Sequence, residues 1–160
     1  MDIRLATPDD AEIIAALNAE VQQVHAEALP SLFKPPSSET FPASLVRQLL
    51  ADPSTYTFLG YVNGAPAGYI YAQILRREET AWRYAWDRLY IHHIAVTQVY
   101  QRHGVGQALI HAAIDVAKAH GLSTIALDVW SFNTKARAFF AAQGFAVYNE
   151  NMWLHLSGQE

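Results

Sequence analysis

The chain of 160 residues contains no cysteine. Disulfides, cysteine-built zinc sites and thiolate nucleophiles are therefore excluded. Long hydrophobic runs are missing too, and nothing approaches the ~18 consecutive apolar residues of a membrane span. Basic charge is scarce: 11 Lys and Arg stand against 15 Asp and Glu, for a net charge of −4. No basic cluster exceeds the pair Arg76–Arg77, which argues against a nucleic-acid or anionic-membrane partner. The opening MDIRLATPDDAEII has acids where a secretory leader has a basic and then apolar stretch. The expectation is a soluble, cytoplasmic protein.

What is present is ordinary globular composition, 51% hydrophobic and 16% charged, in a length that suits one domain over 1–160. A short strand is expected at Ile3–Ala6, then a helix capped by Thr7 with Pro8 in its first turn. Residues 30–42 hold four of the seven prolines and read as irregular, with a second helix over 42–51. Asn63–Gly64 between TYTFLGYV and APAGYIYAQIL is a hairpin signal. The charged, aromatic 76–87 reads as an exposed connection, and RLYIHHIAV as a third long strand. A helix closed by Gly121, a strand at 123–130, a helix from Asn133 to Gly144 and a final strand at 145–156 complete the chain. The order β-α-α-β-β-β-α-β-α-β indicates a mixed α/β fold with helices on both faces of a central sheet. The segment 88–130 forms a crossover that makes its two strands parallel.

Two features carry chemistry. The turn Gln101, Arg102, His103, Gly104, Val105, Gly106 joins a strand to a helix. A helix N-terminus offers unpaired amides and partial positive charge, and glycine lets an anion approach the backbone. A phosphate or pyrophosphate site is one reading; glycines that merely ease a tight turn are the other. His92 and His93 lie side by side in an apolar strand. They read as a general base, core hydrogen-bonding residues or metal ligands. Alternation along a strand sends the two rings to opposite faces unless a bulge intervenes. That disfavours a metal, since flat-strand neighbours do not readily chelate one ion and no third ligand lies two residues away.

The stretch VTQVYQRHGVG resembles the Q/R-x-x-G-x-G/A signature of the GNAT superfamily, the acetyl-CoA-dependent N-acetyltransferases. LDVWSFNTKARAFFAAQGF (127–145) resembles that superfamily's second motif, and IRLATPDDAEIIAAL is similar to its first strand and helix. The resemblance implies a chain of GNAT-type fold that binds acetyl-CoA as co-substrate, needs no metal, and transfers acetyl to a small-molecule or peptide amine. It implies that the Arg102–Gly106 amides hold the pyrophosphate. Main-chain groups of Ile94, Ala95 and Val96 would then meet the pantetheine arm, and Asn133 the pantetheine region or simply its helix as N-cap. Many relatives place an acidic tyrosine where this chain has Phe140, so acid catalysis there is in doubt; Tyr100, Tyr148 and Ser131 are substitutes. Relatives often carry a carboxylate where His92 stands, and an imidazole of ordinary pKa near 6.5 suits a base at neutral pH. An acceptor site is expected from Phe33, Trp82, Tyr84 and Trp86, with Glu78, Glu79 or Asp87 attracting a cationic amine, or else these residues pack loops or a homodimer contact. The rival functions are a non-catalytic acyl-CoA sensor of the same fold and a generic nucleotide-binding protein.

Overall fold

In a computed structural model, residues 1–156 are described, in two compact units, Met1–Asp128 and Val129 onward. The first unit contains a five-stranded sheet in the order β1-β2-β3-β4-β5. Its strands are β1 (Asp2–Leu5), β2 (Thr55–Val62), β3 (Ala65–Leu75), β4 (Arg88–Val96) and β5 (Ile125–Leu127). The first four pair antiparallel, and β5 joins β4 in parallel through the crossover helix α3 (Val105–Ala119). Asn63 and Gly64 both take positive φ, the two-residue hairpin that their identities favour.

Alternation along β3 divides the core between two helical layers. Tyr69 and Tyr71 face α1 (Ala11–Ala28) and α2 (Ala43–Ala51), where they pack with Ile14, Leu17 and Val46. Gly60 and Gly68 serve the opposite side and the strand spacing. A Cβ on Gly60 would stand 3.0 Å from Val105 Cγ1 on α3, and one on Gly68 would stand 2.4 Å from the Ala95 carbonyl oxygen. Before α1 the chain makes a 3-10 turn, Pro8–Asp10. There the Asp10 carboxylate accepts from Thr7 N at 2.8 Å and pairs with Arg4 at 2.7 Å. The Arg4 hydrogen bond holds the Asp10 pKa down to about 2.

The second unit contains α4 (Thr134–Ala142). Phe140 is buried there, 5.6 Å from the Phe145 ring. Two sequence expectations fail at this end. The strand expected at 123–130 shrinks to Ile125–Leu127, and no strand forms over 145–156. The apolar residues Val147, Met152, Leu154 and Leu156 of that segment are exposed, so its alternating pattern has no buried face to satisfy.

Candidate active site

The site is organised by an irregularity in β4. Tyr71 lies opposite His93 and Ala72 opposite Ile91, so His92 is an extra residue without a partner on β3. This β-bulge is the exception to the expected alternation. His92 stacks on the Tyr71 ring at 4.7 Å and 16°, and His93 meets the same ring edge-on at 5.8 Å. Both imidazoles therefore stand on the α1/α2 face, as a bulge permits by breaking the period of two.

Their surroundings set them different tasks. Gln73 donates from Nε2 to Ser54 Oγ at 3.0 Å and towards Asp52 at 3.4 Å, which turns its carbonyl oxygen to His92 Nε2 at 3.0 Å. An amide oxygen only accepts, so the His92 proton sits on Nε2 and the Nδ1 lone pair is left for another proton. The outer part of His92 is exposed, yet its withdrawal from water between Tyr71 and Tyr90 lowers its pKa. His93 is deeper. Its Nδ1 lies 3.1 Å from the Tyr69 hydroxyl, which accepts from Asn18 Nδ2 at 2.8 Å. With that oxygen so occupied, the phenol proton goes to Nδ1 and the His93 proton rests on Nε2. Burial first, then the charges of His92 and His25, lower the His93 pKa to about 4. Both rings are thus neutral at pH 7, for a desolvation reason.

Beyond the bulge the sheet opens. Strand β5 pairs with β4 only at Leu89–Ile91, whereas β3 follows β4 to Val96. Thr97 N donates to Ala67 O at 2.9 Å. By alternation the amides and carbonyls of Ile94 and Val96 turn to the open side, and those of Ala95 turn to β3. Gln101 Nε2 already donates to the Val96 carbonyl at 3.1 Å, which ties the glycine turn to this edge.

That turn carries two left-handed residues. Arg102 has φ +64° and Gly104 φ +82°, and Gly104 caps α3, whose first amides have no carbonyl within the helix to bond. Successive amides around left-handed residues make an anion-binding concavity, reinforced by the helix dipole. His103 is exposed and uses Nδ1 to donate to the Gln101 carbonyl at 2.9 Å. The Val105 side chain is buried and anchors the start of α3. In the second unit, Asn133 accepts from Ala136 N at 3.1 Å as the N-cap of α4.

The sequence fits the acetyltransferase (GNAT) family over residues 20–145. The chain belongs to the GNAT family. Among GNAT relatives is the ribosomal protein bS18-alanine N-acetyltransferase of Escherichia coli, 31% identical over 100 residues. That match covers 61% of this chain and 61% of the relative. A tetramutant of the BH1408 protein of Bacillus halodurans has the same fold, with a TM-score of 0.93, 23% identity, and coverage of 98% of this chain and 100% of that one. An aminoglycoside acetyltransferase from an uncultured soil sample aligns with a TM-score of 0.65 at 17% identity, over 99% and 96% of the two chains.

The acceptor residues expected from the sequence are only partly brought together. Trp82 and Tyr84 are 80% and 85% exposed, on a connection pinned by backbone bonds between Arg77 and Trp86 and between Thr80 and Arg83. Asp87 pairs with Arg76, and Phe33 packs on His25 at 5.0 Å. Trp86 alone of these aromatics turns onto the β4 face, over Arg88 at 4.4 Å. Sequence reasoning missed Asn18, Tyr69, Gln73, Arg88 and the Tyr90–Asp128 bond at 2.5 Å. For Gln73, Arg88 and Tyr90 the signal available was polar side chains spaced by two along β3 and β4; Asn18, on α1, carried none. Among the described residues no group of three or more His, Asp or Glu is placed to hold a metal, and no helix is long and apolar enough to cross a membrane.

Proposed function

We propose that this protein transfers an acetyl group from acetyl-CoA to a primary amine by direct attack in a ternary complex. The observation that carries the reading is the opening between β4 and β5, bordered at one end by the glycine turn and on the α1/α2 face by two neutral imidazoles. Bound acetyl-CoA supplies the activated thioester: the amine nitrogen forms a bond to its carbonyl carbon, the carbon–sulfur bond breaks, and the thiolate leaves.

The residues divide the remaining work. The amides of Arg102 to Gly106, with Gln101 bracing the turn, hold the pyrophosphate. The open-side groups of Ile94 and Val96 orient the pantetheine arm beside Ala95, and the Ile94 amide faces negative charge developing on the carbonyl oxygen. His92 Nδ1 takes the amine proton, directly or through water. His93 is a donor through Nε2–H and keeps this face uncharged. Asn133 caps α4. Phe140 has no proton to offer, and the thiolate, with a thiol pKa of about 8.5, leaves without an acid from that position. One acetyltransferase domain over 1–160, in the cytoplasm, acting on a small-molecule or peptide amine and free to form a homodimer, completes the reading.

Incubation with acetyl-CoA and a panel of amines, read by release of free CoA thiol and by a 42-Da gain in product mass (on the order of one acetyl), tests it. Turnover with at least one amine class is expected. Binding of CoA with no turnover across the panel would favour an acyl-CoA sensor. Thermal protection by ATP or NAD but not by CoA would remove both readings.

A further inference from the structure

Arg88 is the first residue of β4, opposite Leu75 and on the face that carries Tyr90, Gln73 and the two histidines. It is buried, with 5% exposure, and neither Nε nor Nη1 has a hydrogen-bond partner among the described residues. What touches the guanidinium is aromatic: Trp86 at 4.4 Å and Tyr90 at 5.9 Å from ring centroid to Cζ. Cation–π contact returns part of the cost of desolvating this cation, but two unpaired nitrogens leave it uncompensated. The acids around this face are engaged elsewhere. Asp128 accepts from the Tyr90 hydroxyl, Asp87 pairs with Arg76, and Asp52 is held by Ser54 and Gln73.

We infer that Arg88 anchors a carboxylate on the acceptor amine, so that the substrate class is an ω-amino carboxylate. The inference rests on the acetyl-transfer reading above. Its planar fork of donors matches a carboxylate with two parallel hydrogen bonds, and Trp86 and Tyr90 give an alkyl chain apolar walls. Spacing selects the class. His92 lies four positions after Arg88, about 13 Å of strand at about 3.3 Å per residue. The adjacent amine and carboxylate of an α-amino acid are too close together to reach both groups. An amine and carboxylate separated by four or more carbons suit them.

The test compares 5-aminopentanoate with its uncharged amide, 5-aminopentanamide, in the full-length protein. The wild type is expected to favour the acid by roughly 30- to 1,000-fold in kcat/KM, the range for a buried charge pair. Arg88→Met is expected to bring that ratio close to one. A second readout needs no turnover: 5-aminopentanoate should raise the melting temperature of the wild type and not of the variant. Unliganded Arg88→Met should melt at or above the wild type, because it removes an unpaired buried charge. A purely structural arginine predicts the reverse, a lower melting temperature with an unchanged acid-to-amide ratio, and that result overturns the inference. Acetylation of both probes at equal rates with no protection by the acid removes the anchor and leaves acetyl transfer standing. Protection without any acetylation does the opposite. If Arg88→Met does not fold, Arg88→Lys, which keeps the charge and loses the fork, should still cut the ratio at least tenfold; an unchanged ratio there also overturns the inference.

Discussion

His92 and His93 are chemically identical and adjacent, yet their hydrogen bonds give them opposite free nitrogens. Gln73 holds the His92 proton on Nε2, and Tyr69 turns the His93 proton to its own Nε2 by claiming Nδ1. Of the two, only His92 combines an unbonded Nδ1 with exposure to solvent. His92→Ala is therefore expected to lower kcat/KM by roughly ten- to a thousandfold. Its pH–rate profile should also lose the acid-side limb that reports protonation of the ring, a limb lying below the ordinary imidazole pKa because burial lowers it. Activity that stays at the wild-type level between pH 6 and 9 would take His92 out of the mechanism. Gln73→Leu should shift the same limb while leaving the ring in place, since the amide fixes a tautomer and does not meet substrate.

At the level of elements, the sequence was most informative where a local pattern decides the outcome. The hairpin at Asn63–Gly64, β4 over 88–96 and α3 from Val105 are set by turn chemistry, β-branched runs and helical periodicity, and the structure reproduces them. The bulge at His92 was not legible, because a period of two read along IHHIAV gives no sign of where one residue steps out of register. Asn18 and Tyr69 were not legible either: 51 residues separate them, and only the packing of α1 on the sheet brings them together. The strand expected over 145–156 shows the converse, an alternating pattern that remains unpaired. The glycine turn was legible in composition, and its geometry makes a sharp prediction. Gly104 sits at φ +82°, a conformation that costs other residues about 1–2 kcal/mol. Gly104→Ala should then weaken CoA binding roughly five- to thirtyfold by titration calorimetry, while the pH dependence attributed to His92 stays unchanged.

For the whole molecule, buried titratable groups make acid stability a two-stage property. The folded state holds the His93 pKa at about 4, below the ordinary 6.5, so between those values the unfolded chain binds more protons. His93 leaves stability untouched above pH 6.5 and subtracts from it increasingly as pH falls towards 4. Asp10 acts in the next window. Its pKa of about 2 gives stability that is present above the ordinary carboxylate value near 3.8 and is lost as pH falls through 2. Urea midpoints measured from pH 7 to 3 should fall first between 6.5 and 4, and His93→Asn should flatten that first fall alone. A midpoint that is level down to pH 4 in the wild type would contradict the assignment.

The extra residue in β4 has one more consequence. Removing a residue from the middle of a strand ordinarily turns over every side chain that follows. Here deletion of His92 would place Ile91 opposite Ala72 and His93 opposite Tyr71 without interruption, the pairs they already form. The shortened chain should fold with its sheet intact and keep the proposed CoA site, while losing the proposed base. In this strand the proposed base is an insertion that the architecture tolerates, and the scaffold is complete without it.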